Sequence, residues 1–180
     1  MTDNELVQSC LEGNMESYRT LMERYRGQAM ALALNILANY QDAEDASQEA
    51  FLRAFRNLER FDLRKTFKNW FYTLLSRLCL DQVRRRRRFH RFIAGLRKEG
   101  EEAMAASSSN PGAVPGVDFS LLNRLRPKER AALHLWSQEG YSGAEIAAVL
   151  SCSQKTAYVH LFRARTKLKA VLKEEKDASS

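Results

Sequence analysis

The sequence predicts an all-α protein made of two small helical domains joined by a flexible linker. Three observations carry that expectation. Apolar residues recur at helical spacing along most of the chain, and no period-2 strand pattern or internal repeat interrupts them. The segment EEAMAASSSNPGAVPG, residues 101–116, holds two of the three prolines and two glycines, and no helical apolar stripe could survive in it. Near the C-terminus, two short apolar stripes flank the polar break Ser151-Cys152-Ser153, the spacing of a helix-turn-helix. The expected boundaries are a first domain at 1–95, a linker at 96–117 and a helix-turn-helix domain at 118–180.

The elements follow in order. Thr2-Asp3-Asn4-Glu5 fits a capping box and opens a first helix that ends by Gly13. A second runs from Met15 through Tyr25 and past Gly27 to Leu37. A third takes Asp42 as its N-cap and continues through AEDASQEAFLRAFRNL. A fourth begins near Lys68 and contains NWFYTLLSRLCLDQVRRRRRFHRF, three aromatics at one end and five arginines at the other. On a helical wheel Phe71, Leu74, Leu75, Leu78 and Gln82 form one core stripe. Trp70, Arg77, Asp81, Arg84 and Arg88 share the adjacent flank, and Tyr72 lies on the other side. In the second domain Ile146, Ala147 and Leu150 make one buried face, and Ala157, Leu161, Ala164 and Leu168 make the next.

Charge is distributed unevenly. The net +7 conceals a first segment, residues 1–62, with 6 basic and 11 acidic side chains, followed by residues 63–98 with 12 basic and 1 acidic. Such asymmetry suits two partners, one that accepts acid and one that is a polyanion. A helix from Lys68 to Arg88 is roughly 30 Å long, close to one turn of duplex DNA. Its arginines could follow phosphates, and its aromatics could receive unstacked bases. Taken alone, Trp70 and Tyr72 read more readily as core residues, whereas the arginine run favours nucleic acid.

The second domain offers Lys155, Val159, Phe162, Arg163 and Thr166 opposite its buried stripe, apolar groups beside cations as a major groove would require. An anonymous hairpin would instead pack Val159 and Phe162 on another helix. On the third helix, Asp45, Gln48, Glu49 and Leu52 fall at i, i+3, i+4 and i+7. They are either helix-end acids with a solvated face or a docking stripe for a partner helix.

Several classes are excluded. The apolar run from Ala29 to Leu37 is too short to span a bilayer and is interrupted by Asn35. MTDNELVQ has no signal-peptide layout, so a cytoplasmic protein is expected. Cys10, Cys79 and Cys152 are isolated and fit cores rather than disulfides or a metal pair. His90, His134 and His160 are scattered, with no carboxylate–histidine grouping, phosphate loop or HExxH. No catalytic residue, metal site or cofactor is therefore expected, and the chain does not read as an enzyme. A free-standing helix-turn-helix regulator would explain Tyr141 to Leu172 but would leave the acidic stripe and the aromatic–arginine helix unused.

DAEDASQEAFLRAFRNLERF, then FKNWFYTLLSRLCLDQVRRRRR, then LRPKERAALHLWSQEGYSGAEIAAVLSCSQKTAYVHLFRARTKL resemble, in that order, the extracytoplasmic-function (ECF) sigma factors of bacterial RNA polymerase. The likeness covers residues 5–92 and 118–172. It implies that Asp45, Gln48, Glu49 and Leu52 bind the clamp helices of the polymerase β′ subunit. It implies that Asp62, Arg64, Lys65, Asn69, Trp70, Tyr72, Thr73, Arg77, Arg84 and Arg88 recognise and melt the −10 promoter element. It implies a −35 reader at Lys155, Thr156, Tyr158, Val159, Phe162 and Arg163, and an anti-sigma protein as a further partner. Three features depart from the family pattern. Arg77 stands where Asn is frequent, Ser151 replaces the usual turn glycine, and Lys155 to Leu161 replace the common Gly-Thr-Val-Lys-Ser-Arg-Leu reading helix.

Overall fold

The computed structural model describes residues 1–97 and 124–178. These form seven α-helices and one 3-10 turn, with no strand among the described residues. The predicted linker falls almost wholly outside them. The helix before it runs through Arg97, two residues beyond the expected domain end.

Helix α1, Asp3–Leu11, carries the expected capping box: the Thr2 side chain accepts from the Glu5 amide, and the Glu5 carboxylate accepts from the Thr2 amide. Helix α2, Met15–Leu37, is continuous across Gly27 and buries Leu21, Ala29, Leu32, Ala33 and Ile36 completely. It ends at Ala38, whose φ of 53° places a non-glycine residue in the left-handed region.

Helix α3, Tyr40–Arg56, begins earlier than the sequence suggested. Asn39 is its N-cap, accepting from the Asp42 amide at 2.9 Å, and Asp42 lies in the first turn. Asp42 is therefore free to pair with Arg86 at 2.9 Å. Either Asn or Asp can cap, so residue type alone does not choose between positions 39 and 42. The buried face of α3 is mostly small (Ala43, Ala46, Ser47, Ala50, Ala54), so α2 and α3 approach closely.

Helix α4, Phe67–Arg97, carries the largest departure from the wheel. Phe71 and Leu75 are fully buried as expected, but Leu74, Leu78 and Gln82 are only partly so. Tyr72, Ser76 and Cys79, which lie off the predicted stripe, are completely buried. The reason is a second partner: one side of α4 packs on α2 and α3, and another receives the C-terminal domain. Aromatic rings fill the junction, with Phe51 stacked on Phe71 at 4.6 Å and Tyr25 within 6.4 Å of Phe67, Phe71 and Tyr72.

The C-terminal domain has α5 (Pro127–Ser137), α6 (Gly143–Val149) and α7 (Gln154–Ala178). Pro127 opens α5 at its first turn, where the missing amide costs nothing. Glu129 is almost fully buried there. Burial works against its charge, but hydrogen bonds from Lys167 at 2.6 Å and the Arg126 amide at 2.9 Å hold it below the usual carboxylate range. Ser142 caps α6 in a capping box with Glu145. The break between α6 and α7 is made by Ser151 at φ 49°, so the serine occupies the left-handed conformation that glycine would take freely. Gly143 has a separate requirement. A Cβ there would lie 2.5 Å from Cζ of Tyr158, so that ring rests against the start of α6.

The two helical units pack against each other. Arg130 on α5, almost buried, donates to the carbonyls of Asn35 and Ile36 at the end of α2, the latter at 2.6 Å, and to Leu125 O at 2.8 Å. Those α2 carbonyls lack intrahelical partners, which suits a cation at a helix C-terminus. Asn35, the polar interruption of the apolar run, lies 3.2 Å from the Nδ1 of buried His134. No helix among the described residues is long and apolar enough to cross a membrane.

Candidate nucleic-acid interface

Three surfaces collect the predicted site residues. The first lies on α3. Asp45, Gln48 and Leu52 are exposed and Glu49 is half-buried, so the i, i+3, i+4, i+7 stripe faces outward. It straddles two grooves. Gln48 and Leu52 edge an apolar groove of 760 Å³ between α2 and α3, floored by Tyr18, Met22, Met30, Phe51 and Phe55. Asp45 and Glu49 edge a second groove of 510 Å³ shared with Arg85 and Arg86 of α4. Glu49 also pairs with Arg53 at 2.5 Å. The acid side is thus partly balanced by the arginine run itself, a juxtaposition of residues some 40 apart that only folding creates.

The second surface is the loop 61–66 with α4. Asp62 and Arg64 form a two-contact pair at 2.9 and 3.0 Å, and the guanidinium holds the Asp62 carboxyl below its ordinary range. Lys65 is exposed beside them. Trp70 is half-buried, packed at 5.1 Å on Phe61 and 5.7 Å on Phe67, and presents its remaining edge to a cavity of 400 Å³. Thr73 and Arg77 line that cavity with Arg53, Asn57 and Arg60. The Thr73 hydroxyl is occupied, donating to Asn69 O at 2.7 Å. Arg84 and Arg88 are exposed further along, Arg84 paired with Asp81 at 2.9 Å.

Tyr72 requires a correction. It is completely buried, not open to a base: its ring stacks on Tyr141 at 6.1 Å and 24° beneath the second domain, with the Lys68 ammonium 5.7 Å from its centroid. For Tyr72 the core reading of the aromatics prevails, and for Trp70 it holds by half. The neighbouring candidates Asn69 and Arg77, and Lys68 beside them, are engaged as well. The Tyr141 hydroxyl donates to Asn69 Oδ1 at 2.5 Å, Lys68 pairs with Glu139 at 2.8 Å, and Arg77 Nε donates to Ser151 Oγ at 3.1 Å.

The third surface is the N-terminal half of α7. Lys155, Tyr158, Val159, Phe162 and Arg163 are exposed and Thr156 is half-buried beside Ser153, whose Oγ accepts from the Thr156 amide at 3.1 Å. Phe162 keeps 71% of its surface exposed and Val159 keeps 38%, while Ala157, Leu161 and Ala164 turn inward. An anonymous hairpin would have buried those two residues.

Sequence reasoning missed Arg130, Glu139, Tyr141 and Ser151 as partners of the first domain, and Asn4 as a partner of the loop. No periodicity links positions so distant in sequence. Gly143 had a weak signal, a glycine at a helix start where the capping pattern alone asks for none. Among the described residues no cluster could hold a metal ion. Burial raises the thiol values of Cys10 and Cys79, Cys79 to about 12, as expected for packing thiols.

The profile of sigma-70 region 2 matches residues 21–89, and that of sigma-70 region 4 matches residues 120–168. The first match spans the loop 61–66 and most of α4, and the second spans the exposed face of α7. The chain is 32% identical over 164 residues to the ECF RNA polymerase sigma factor SigE of Mycolicibacterium smegmatis, covering 88% of this chain and 62% of that protein. It thus spans less than two thirds of that relative. It is 31% identical over 150 residues to the ECF RNA polymerase sigma factor EcfG of Rhodopseudomonas palustris, covering 79% of this chain and 77% of that one. The solved structure of CnrH in complex with the cytosolic domain of CnrY has the same fold, at a TM-score of 0.67 and 27% identity over 99% of each chain. This chain belongs to the ECF sigma factors, which direct RNA polymerase in promoter-specific initiation. A free-standing regulator is set aside, since it would have no use for region 2.

Proposed function

We propose that α3 holds core RNA polymerase, that the loop 61–66 with α4 reads and opens the −10 element, and that the start of α7 reads the −35 element. The observation that carries this division is the exposure of Val159 and Phe162 beside Lys155 and Arg163 on a helix whose opposite face is buried. Apolar groups left in water beside cations fit a groove that offers thymine methyls and phosphates. On α3, Gln48 and Leu52 with the adjoining apolar groove suit the flank of a partner helix, assigned here to the β′ clamp helices. The −10 set keeps Asp62, Arg64, Lys65, Asn69, Trp70, Thr73, Arg77, Arg84 and Arg88, with Trp70 as the aromatic that can meet an unstacked base.

Asn69, Lys68 and Arg77 are occupied by Tyr141, Glu139 and Ser151, so promoter reading requires the two units to part. The protein works without chemistry of its own, in the cytoplasm, where the polymerase performs phosphodiester synthesis. An anti-sigma protein is a further partner. That reading is supported by the fold shared with the sigma factor RpoE from Bartonella quintana, solved in complex with the anti-sigma factor NepR, and by the open apolar groove on this chain.

The test is reconstitution with core polymerase and a pool of randomised promoters. Stable binding and transcription from a subset with both elements enriched is expected. Replacing Asp45, Gln48 and Glu49 with Ala should weaken core binding at native helicity, because none is fully buried. Unchanged binding would remove α3 from the polymerase contact.

A further inference from the structure

We infer that Asn4, on the first turn of α1, is a positioning residue that fixes the shape of the −10-reading loop. The inference rests on the assignment of loop 61–66 to the −10 element made above. The loop has no regular structure, and Leu63, Arg64, Lys65 and Thr66 are exposed. Its internal order is slight: the Asp62–Arg64 pair and one turn in which the Lys65 amide donates to Asp62 O at 2.9 Å. Asn4 supplies a tie from outside. Its amide nitrogen donates to Leu63 O at 2.7 Å and to Lys65 O at 3.3 Å, bridging the two carbonyls that flank Arg64.

The chemistry demands a donor there, because both partners are acceptors. Asn4 is free for this task because Thr2 and Glu5 already cap the helix. Helix α1 is itself anchored. Asp3 accepts from the Tyr25 hydroxyl and from Arg24 at 2.5 Å, and Leu6, Val7 and Cys10 are buried. A rigid path therefore runs from α2 through Asp3 and α1 to the loop backbone. Loops that recognise ligands gain from such support, since a backbone held in its bound shape loses less freedom on binding.

Asn4→Asp is the sharpest test. It is nearly isosteric and places a negative charge on a helix first turn, where it is tolerated, but it removes the donor and sets a carboxylate against two carbonyls. Asn4→Ala removes the donor without adding charge. Holoenzyme made with each variant is assayed on randomised promoters for −10 and −35 preference, for rate of open-complex formation, and for affinity for core polymerase. Both variants should flatten the −10 preference and slow opening about fivefold, the worth of one net hydrogen bond. Core affinity and −35 preference should be unchanged. The parallel variant Arg64→Ala reports on the loop itself. Wild-type −10 preference in both Asn4 variants, with loss in Arg64→Ala, overturns the inference while leaving the loop assignment standing. Parallel loss of core affinity and −35 use would show a merely structural role and also overturn it. No effect from Arg64→Ala as well would remove the loop from −10 reading, and the inference with it.

Discussion

Tyr141→Phe isolates one contact that holds Asn69, proposed above to read the promoter, under the second domain. The hydroxyl donates to Asn69 Oδ1 at 2.5 Å, while the ring stacks on Tyr72 at 6.1 Å, and phenylalanine keeps the ring and loses only the donor. A net intramolecular hydrogen bond of this kind contributes about 1 kcal/mol. Its loss should raise the ratio of parted to packed units about fivefold, at 1.36 kcal/mol per factor of ten. A ligand that binds only the parted form sees an affinity scaled by that form's population. Where the packed form dominates, affinity for a −10 strand should therefore tighten by about the same fivefold. The assay is fluorescence anisotropy of a labelled single strand carrying the −10 sequence that holoenzyme selects from a random pool. Salt must be held fixed, because phosphate contacts make affinity steeply salt-dependent. Unchanged or weaker binding would refute the reasoning that Tyr141 competes with the strand for Asn69.

Arg130→Met should act in the same direction and also lower stability by about 2–3 kcal/mol in thermal or urea unfolding, because the carbonyls of Ile36 and Leu125 lose a charged donor. Ala38→Gly should raise the melting temperature by about 2–4 °C, since glycine takes the left-handed φ of 53° without the Cβ cost and Ala38 has no side-chain bond to lose. Stability should fall as pH drops through about 6.5, the ordinary histidine value, because burial holds His134 below it. The unfolded chain then binds the proton more readily, so the stability present above that pH is lost below it, with the nearby Glu139 carboxylate opposing the effect. His134→Gln should flatten part of that slope in urea titrations at pH 5.5 and 7.5; His160, also held low by burial, adds to it in the same direction.

Much of the candidate site was legible in the sequence because it lies on helix surfaces, where a 3.6-residue period assigns faces directly. The exposed face of α7 and the outward stripe of α3 stand where the wheel put them. The capping box at Thr2 is equally local, set by residues three apart. Tyr72 entered the −10 set through the family resemblance, whereas the aromatics read by themselves pointed to a core, and the second buried face of α4 holds it there. Asp42 was taken for the cap because Asn and Asp cap about equally well, and residue type alone does not choose between positions 39 and 42.

Sequence alone determined the all-helical class, the exposed faces of α3 and α7 and the charge they carry, since these depend on spacing and side-chain type within single helices. Tertiary structure decided which of those residues are free. The Tyr141–Asn69, Glu139–Lys68 and Asn4–loop contacts join positions more than 55 residues apart, and their strength depends on distance and burial that no local pattern encodes.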